Sequence, residues 1–502
     1  MERREIIVRK LLEGCQEDAI SKGLDFRDST VRTVGDRYLT KDATGKYIRP
    51  PDKDLSDRIG LSHEESVGSL VDRFMPFYHA AQKKLVRDLV VACMEAGRLR
   101  SSDIAKALAV ERDIKVDAAL QRVTAFMGNN KIANGPVYRN LFQSFTCDSS
   151  TIVIAMDWTE FANNQITLQA FLLLQNNQGI PVVCHTVPRS SVGSKASEVG
   201  KRAIYQLVLS RLHEMVQHNP TVRRVIILGD REFGSVPFMQ ACDHYGFCYC
   251  LRKQGASKLY RSSRVGPPRR VINSVPQGGP PVRHRELLCT AQHYVVKTTV
   301  FAYARGMKER WTLLSSLEDI APRVLIVLYG HRWAIETNFR ADKDENFGLG
   351  LGYTNLYGRV DTACERRDKL WLLAALVGVY SLCLGKASQL LTFDRVFLTY
   401  SKERQKQHPQ LSTRRTGKET HRWWARQVNR KSRGRIQAKR RRQLRTRQRT
   451  RLQRGPQGYR LRHDNETVEV FEFGLHIARC GGRYLAIDFE SLLRSHPHAG
   501  VG

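Results

Sequence analysis

Two short stretches constrain this chain most: TIVIAMDWTEF, residues 151–161, and RRVIILGDREF, residues 223–233. Each is a run of β-branched and aliphatic residues that breaks at an aspartate. An unbroken apolar run of that length fits a strand covered on both faces better than an alternating strand with one wet face. In open α/β sheets, ligands collect beyond the carboxyl ends of such strands. Asp157 and Asp230 therefore stand where a site would form. A lone strand-end aspartate is often only a turn residue; two on the same device are harder to read that way.

The flanking segments extend the same α/β pattern. LQAFLLLQ and IPVVCHTVP read as strands, and an amphipathic helix follows over 195–217, turning Leu207, Leu209, Leu212 and Met215 to the core. GFCYCLRK reads as a further strand. From Gly255 to Arg285 the composition is Gly/Pro-rich and basic, which predicts a loop. HYVVKTTVFAYA and ERWTLLSSL then alternate like antiparallel strands. Ahead of residue 150 the pattern is mostly helical. In LRSSDIAKALAVERDIKVDAALQRVTAFMGNNKI, Ser101 or Ser102 can cap a helix ending near Ala109, and Val116–Met127 fits a second. The two read either as a helix-turn-helix placing one helix in a DNA major groove or as an ordinary helical pair. WLLAALVGVYSLCLG, from Trp371, is about 15 residues long, short for a membrane span, and reads as a buried helix.

Charge narrows the partner. The 502 residues carry a formal net charge of +33 and a pI near 10.0, with an ordinary 41% of apolar residues. That excess calls for a polyanion, either nucleic acid or an acidic membrane surface. Residues 401–462 hold 23 Lys and Arg against two Glu. Such a segment reads as a disordered basic tail that strengthens nucleic-acid binding by counterion release, without sequence preference. The 11 cysteines form no paired framework, and MERREIIVRKLLEGC lacks a signal-peptide pattern, so a reducing cytoplasm is the simplest location. Cys242, His244, Cys248 and Cys250 have no common zinc-site spacing and read as packing residues.

YGHRWAIETNFRADK, Tyr329 to Lys343, brings in a third carboxylate. On one helix, Tyr329, Arg332, Glu336 and Lys343 fall within about 60° of one another, with Arg340 on the same stripe. Mixed charges on a helix often mean only a solvated face with an intrahelical ion pair. With Asp157 and Asp230, however, Glu336 completes a set of three carboxylates able to hold two Mg²⁺ ions about 4 Å apart. Arg332 and Lys343 could then neutralise a phosphate.

The spacing of Tyr329, Arg332, Glu336 and Lys343 resembles the Y-x2-R-x3-E-x6-K signature of bacterial cut-and-paste insertion-sequence transposases, of the insertion-sequence-four type. MDWT is similar to that family's first-aspartate strand and GDREF to its second-aspartate motif, and the resemblance covers roughly 150–390. It implies a ribonuclease-H-like catalytic core over 149–392 with a β-rich insertion at about 252–320. A helical N-terminal domain, 1–148, and a basic C-terminal region, 393–502, would flank it. It further implies that Asp157, Asp230 and Glu336 ligate two Mg²⁺ or Mn²⁺ ions. Tyr329, Arg332, Lys343 and Arg340 would face DNA phosphates. Trp311, in ERWTLLSS, would stack on an extruded base, although a strand tryptophan is often simply packed. The implied partners are double-stranded DNA, both inverted-repeat ends and target, and a second copy of the chain. No membrane partner is implied, and the setting would be the cytoplasm, at the nucleoid. Two other readings stay open: a transposase-derived DNA-binding protein without catalysis, and another ribonuclease-H-like nuclease. The Arg-rich segment departs from the family pattern, and the following ETVEVFEFGLHIARCGGRYLAIDF reads as two or three strands.

Overall fold

A computed structural model describes residues 40–41, 47–48, 63–147, 149–161, 164–174, 178–192, 197–254, 258–261, 269–290, 293–318, 320–333, 335 and 360–390. The described residues divide into two compact units at Ser66/Val67 and Val379/Tyr380. In the first, residues 40–41 and 47–48 pair antiparallel, and the Ser66 and Tyr380 hydroxyls hydrogen-bond at 3.0 Å. The second carries the large sheet.

Its centre is one ten-stranded sheet. β1 (Thr151–Phe161), β2 (Gln165–Leu174) and β3 (Gln178–Pro188) form an antiparallel meander. The chain then crosses through helix α6 (Ser197–Gln217) to β4 (Arg224–Gly229), which lies parallel to β1. A second crossover, α7 (Val236–His244), leads to β5 (Cys248–Lys253), parallel to β4. All ten residues of β2 and five of the six in β4 are buried, as the unbroken apolar runs predict. In α6, Leu209, Leu212 and Met215 are buried as expected, whereas Val208 is buried and Leu207 only half-buried.

The inserted strands do not form a separate body. β6 (Leu259–Arg261), β7 (Arg269–Val271), β8 (Val282–Cys289), β9 (Tyr294–Ala302) and β10 (Trp311–Ser315) extend the same sheet. Its order is β3-β2-β1-β4-β5-β10-β9-β8-β6-β7. The join is antiparallel pairing of β10 with β5, Thr312 opposite Lys253 and Leu314 opposite Leu251. The loop expected over 255–285 is thus corrected in part. β6 and β7 form inside it because β6 gains a partner in β8, where Leu287 and Cys289 are buried and Leu259 is buried opposite Cys289. Long-range pairing outweighs the local Gly/Pro bias.

Helices cover the sheet. α8 (Pro322–Gly330) sets Val324, Leu325 and Leu328 in one cluster with Ala155, Ile226, Leu228 and Leu313. α9 (Val360–Leu390) carries Trp371, fully buried, whose indole N–H donates to Thr167 Oγ1 at 3.2 Å. Beside it the buried Arg367 donates to Gln165 Oε1 at 3.2 Å and stacks 4.2 Å over the Phe161 ring. Its apolar stretch is longer than expected, 24 residues from Thr362 to Gly385, enough by length and composition to cross a membrane. That window is 89% buried inside the protein, which makes it a core helix here.

Among the described residues, five helices precede the sheet: α1 (His63–Phe74), α2 (Ala80–Ala96), α3 (Ser101–Arg112), α4 (Val116–Met127) and α5 (Asn134–Thr146). α3 starts with Arg100 at the cap and Ser101 already helical, so neither serine caps it, and it runs past Ala109 to Arg112. A left-handed Asp113 (φ 50°) turns the chain into α4.

Removing the Trp371 ring deletes a large buried volume and one of the two hydrogen bonds of the Thr167 hydroxyl. Trp371→Ala is expected to cost about 3–5 kcal/mol in urea unfolding. A loss below about 1 kcal/mol would mean that α9 does not pack as described.

Candidate active site

Register brings the two aspartates together. The parallel pairing of β1 with β4 runs from Thr151 opposite Arg224 to Met156 opposite Gly229. Asp157 and Asp230 are the next residue on each chain. Asp157 is not at the end of its strand, as the apolar run had implied. β1 continues to Phe161 along β2, with Asp157 opposite Gln169. It marks instead the point where β4 leaves.

Asp230 opens a tight turn. Its Oδ1 accepts the Glu232 N–H at 2.9 Å and its carbonyl accepts the Phe233 N–H at 3.1 Å. Phe233 is fully buried, 5.1 Å from the ring centre of Phe238, and anchors the turn from below. From the side, the buried Lys253 ammonium donates to the Gly234 carbonyl at 3.0 Å. Two glycines are required by space. A Cβ at Gly229 would stand 2.6 Å from Phe233 Cβ, and one at Gly234 would stand 2.5 Å from the Arg252 carbonyl oxygen.

The electrostatics are those of crowded acids. Asp157 is pushed up to about 7, by burial first and then by the nearby Asp230 carboxylate, with the Arg332 guanidinium opposing both. Arg332 Nη1 lies 3.6 Å from Asp157 Oδ2, and both side chains are mostly buried. Asp157 Oδ1 accepts the Trp158 N–H at 2.8 Å. Two hard oxygen donors that repel each other in a sheltered place suit a divalent cation such as Mg²⁺ or Mn²⁺. Among the described residues no group of three His, Cys, Asp or Glu side chains is placed to hold a metal. The expected third ligand, Glu336, lies outside the described residues, as do Arg340 and Lys343.

Tyr329 and Arg332 do reach this place, by a different local structure from the single helix expected. Regular helix ends at Gly330, with the N–H of His331 closing the last turn onto Val327 and Leu328. Tyr329 therefore sits in the final turn of α8, 2% exposed. Its hydroxyl makes no hydrogen bond among the described residues, and burial raises its pKa. Arg332 Cζ stands 5.7 Å from the Tyr329 ring. Trp311, half-buried at the start of β10, meets the same ring edge-on at 5.0 Å. It is packed against the core, and the Arg252 guanidinium covers it at 5.5 Å.

Other side chains fall elsewhere. Glu160 is exposed and pairs with Arg189 at 3.2 Å. Trp333 is 59% exposed. Cys242 and Cys250 are buried, consistent with packing. Sequence reasoning missed Arg231, Arg252, Lys253 and Glu309. The signal available was adjacency: Arg231 follows Asp230, and Glu309 stands two residues before Trp311.

Residues 182–352, about a third of the chain, match the family model described as "Transposase DDE domain". The match supports a DDE-type transposase, and this mixed α/β fold with its large sheet is compatible with one. It includes Asp230, Trp311, Tyr329 and Arg332, while Asp157 precedes it and is brought in by the pairing of β1 with β4. No curated protein matches the chain.

The raised Asp157 sets a pH dependence. Its contribution to stability is full below the unfolded value near 3.8 and is lost as pH rises through about 7. In metal-free buffer, Asp157→Asn removes that loss. The variant should melt about 2–4 °C above the parent at pH 8, with the advantage gone by pH 4. Equal melting at pH 8 would show that Asp157 is not held among like charges.

Proposed function

We propose that this protein is a metal-dependent DNA transposase that cuts a mobile element from its flanks and joins it to target DNA. The observation that carries this reading is the register of β1 and β4, which sets Asp157 beside Asp230 with Arg332 on the Asp157 carboxylate. The strand order β3-β2-β1-β4-β5, with β1, β4 and β5 parallel and β2 antiparallel, supports a ribonuclease-H-like core.

In this reading Asp157, Asp230 and Glu336 hold the metal. A bound divalent ion supplies Lewis acidity to the scissile phosphate and lowers the pKa of an attacking water or terminal hydroxyl. The chain's own residues do the rest. Arg332, already beside Asp157, balances charge on the phosphate, and the Tyr329 hydroxyl is a donor kept protonated by burial. Lys343 and Arg340 add backbone contacts. Trp311 offers an aromatic platform for a base displaced at the cut, its ring already braced by Tyr329 and Arg252.

The N-terminal helices are proposed as a second DNA contact. On α4, Val116, Asp117, Leu120, Gln121, Arg122 and Thr124 face solvent, while Ala119, Val123 and Phe126 are buried. That leaves an exposed face on which Asp117, Gln121, Arg122 and Thr124 are side chains able to read base edges. Action at two ends at once would require a second copy of the chain.

The test uses plasmid DNA carrying the sequence that flanks the gene, incubated with Mg²⁺. Strand cuts at the element boundaries are expected, with none in EDTA. Asp230→Asn should lower cutting by at least about a thousandfold while DNA affinity changes by less than about fivefold. Cutting by Asp230→Asn at the parent rate would overturn the assignment. Binding without any cutting by the parent chain would favour the non-catalytic alternative.

A further inference from the structure

Around the candidate site the side chains close a circuit. It runs from Asp157 to Arg332, across Tyr329 and Trp311 to Arg252, then to Glu309, Arg231 and back to the turn at Asp230. Every link but one is a cation, a ring or one of the two aspartates. The exception is Glu309. Its Oε1 accepts from Arg252 Nη2 at 2.7 Å and also from Arg231 Nη2. These two arginines hold its carboxyl below the usual range, the hydrogen bond from Arg252 contributing most.

We infer that Glu309 is a positioning residue, which through Arg252 and Arg231 holds the face of Trp311 in fixed relation to the Asp230 turn. The inference rests on the proposed transposase reading for its consequence, but the contact itself does not. An exposed ion pair changes stability little, and Glu309 is 47% exposed. Its arrangement, however, is a specific one. Two guanidinium groups converge on one oxygen, and without that carboxylate they would repel each other. Arg252 is 13% exposed and its guanidinium stands 5.5 Å from the Trp311 ring centre, so its direction affects how open that ring is. Arg231 is the residue next to Asp230, so its direction bears on the turn. Glu309 thus ties the inserted strands to the strand-end loop of the core. Backbone pairing does not do this: Trp311 pairs with Ala302 of β9 and its carbonyl accepts from Asn273, while β10 meets β5 only from Thr312 onward, so the link from Trp311 to the Arg231 side runs through side chains.

Two readouts test this. The first needs no catalysis. In the DNA-free protein, the part of tryptophan fluorescence lost in Trp311→Phe reports on Trp311 alone. Glu309→Ala should raise acrylamide quenching of that part about twofold, Glu309→Gln less, and the neighbouring surface change Lys308→Ala not at all, with melting temperature shifted by no more than about 2 °C. Unchanged quenching in Glu309→Ala overturns the inference, whatever the protein's activity. The second readout uses DNA with 2-aminopurine beside the cut. Glu309→Ala should reduce the ratio of strand joining to first cutting about tenfold, and add nothing to Trp311→Ala in a double-mutant cycle. Additive effects of the two changes would also overturn it. A parent chain that never cuts DNA would sink the proposed function while leaving the quenching result to judge Glu309.

Discussion

The parallel register between β1 and β4 is the constraint on which the site depends. Two residues 73 positions apart are made neighbours because six consecutive backbone pairings end at Met156 and Gly229. A slip of one residue would turn Asp157 to the opposite face and replace it with Met156 or Trp158. Burial enforces the register: Val153, Ala155, Ile226 and Leu228 all lie in the apolar cluster under α8. The same core that stabilises the sheet therefore fixes the distance between two acids that repel each other.

That repulsion is tolerated locally. Arg332 offsets part of it at 3.6 Å, and the turn carrying Asp230 is braced by Phe233 and by Lys253 on the Gly234 carbonyl. The turn leaves little room to relax, since Gly229 and Gly234 lie against Phe233 and the β5 backbone. Rigid framing around an unfavourable charge pair is the condition under which a cation would be bound with little rearrangement.

Much of the core was legible in the sequence. TIVIAMDWTEF marks β1 to the residue, and the strand after α6 begins one residue later than RRVIILG suggests. Local periodicity records such elements because burial on both faces demands unbroken apolar runs. β6 and β7 were not legible. Both are short, basic and flanked by Gly and Pro; β6 becomes a strand by pairing with a distant β8, and β7 by pairing with β6. The break at Gly330 was hidden for the opposite reason: the stripe Tyr329–Arg332 fits a helix, yet the described helix ends between them. Asp157, Asp230, Tyr329, Arg332 and Trp311 could be named in advance as residues with the right chemistry. Arg252 could not, and for Glu309 nearness to Trp311 was the one hint; their roles arise from an ion pair between β5 and the loop before β10 that no spacing encodes.

The insertion also relocates the open rim of the sheet. Without it, β5 would present a row of free amide and carbonyl groups directly beside the acidic pocket. β10 covers that row, and successive strands carry the rim outward to β7, three residues long and headed by Arg269 and Arg270. Short, cationic borders resist recruitment by stray strands. At the other border β3 contains Pro181 and ends at Pro188, neither of which can donate to a newcomer. Crowded copies of this chain are thereby kept from zipping together through their backbones.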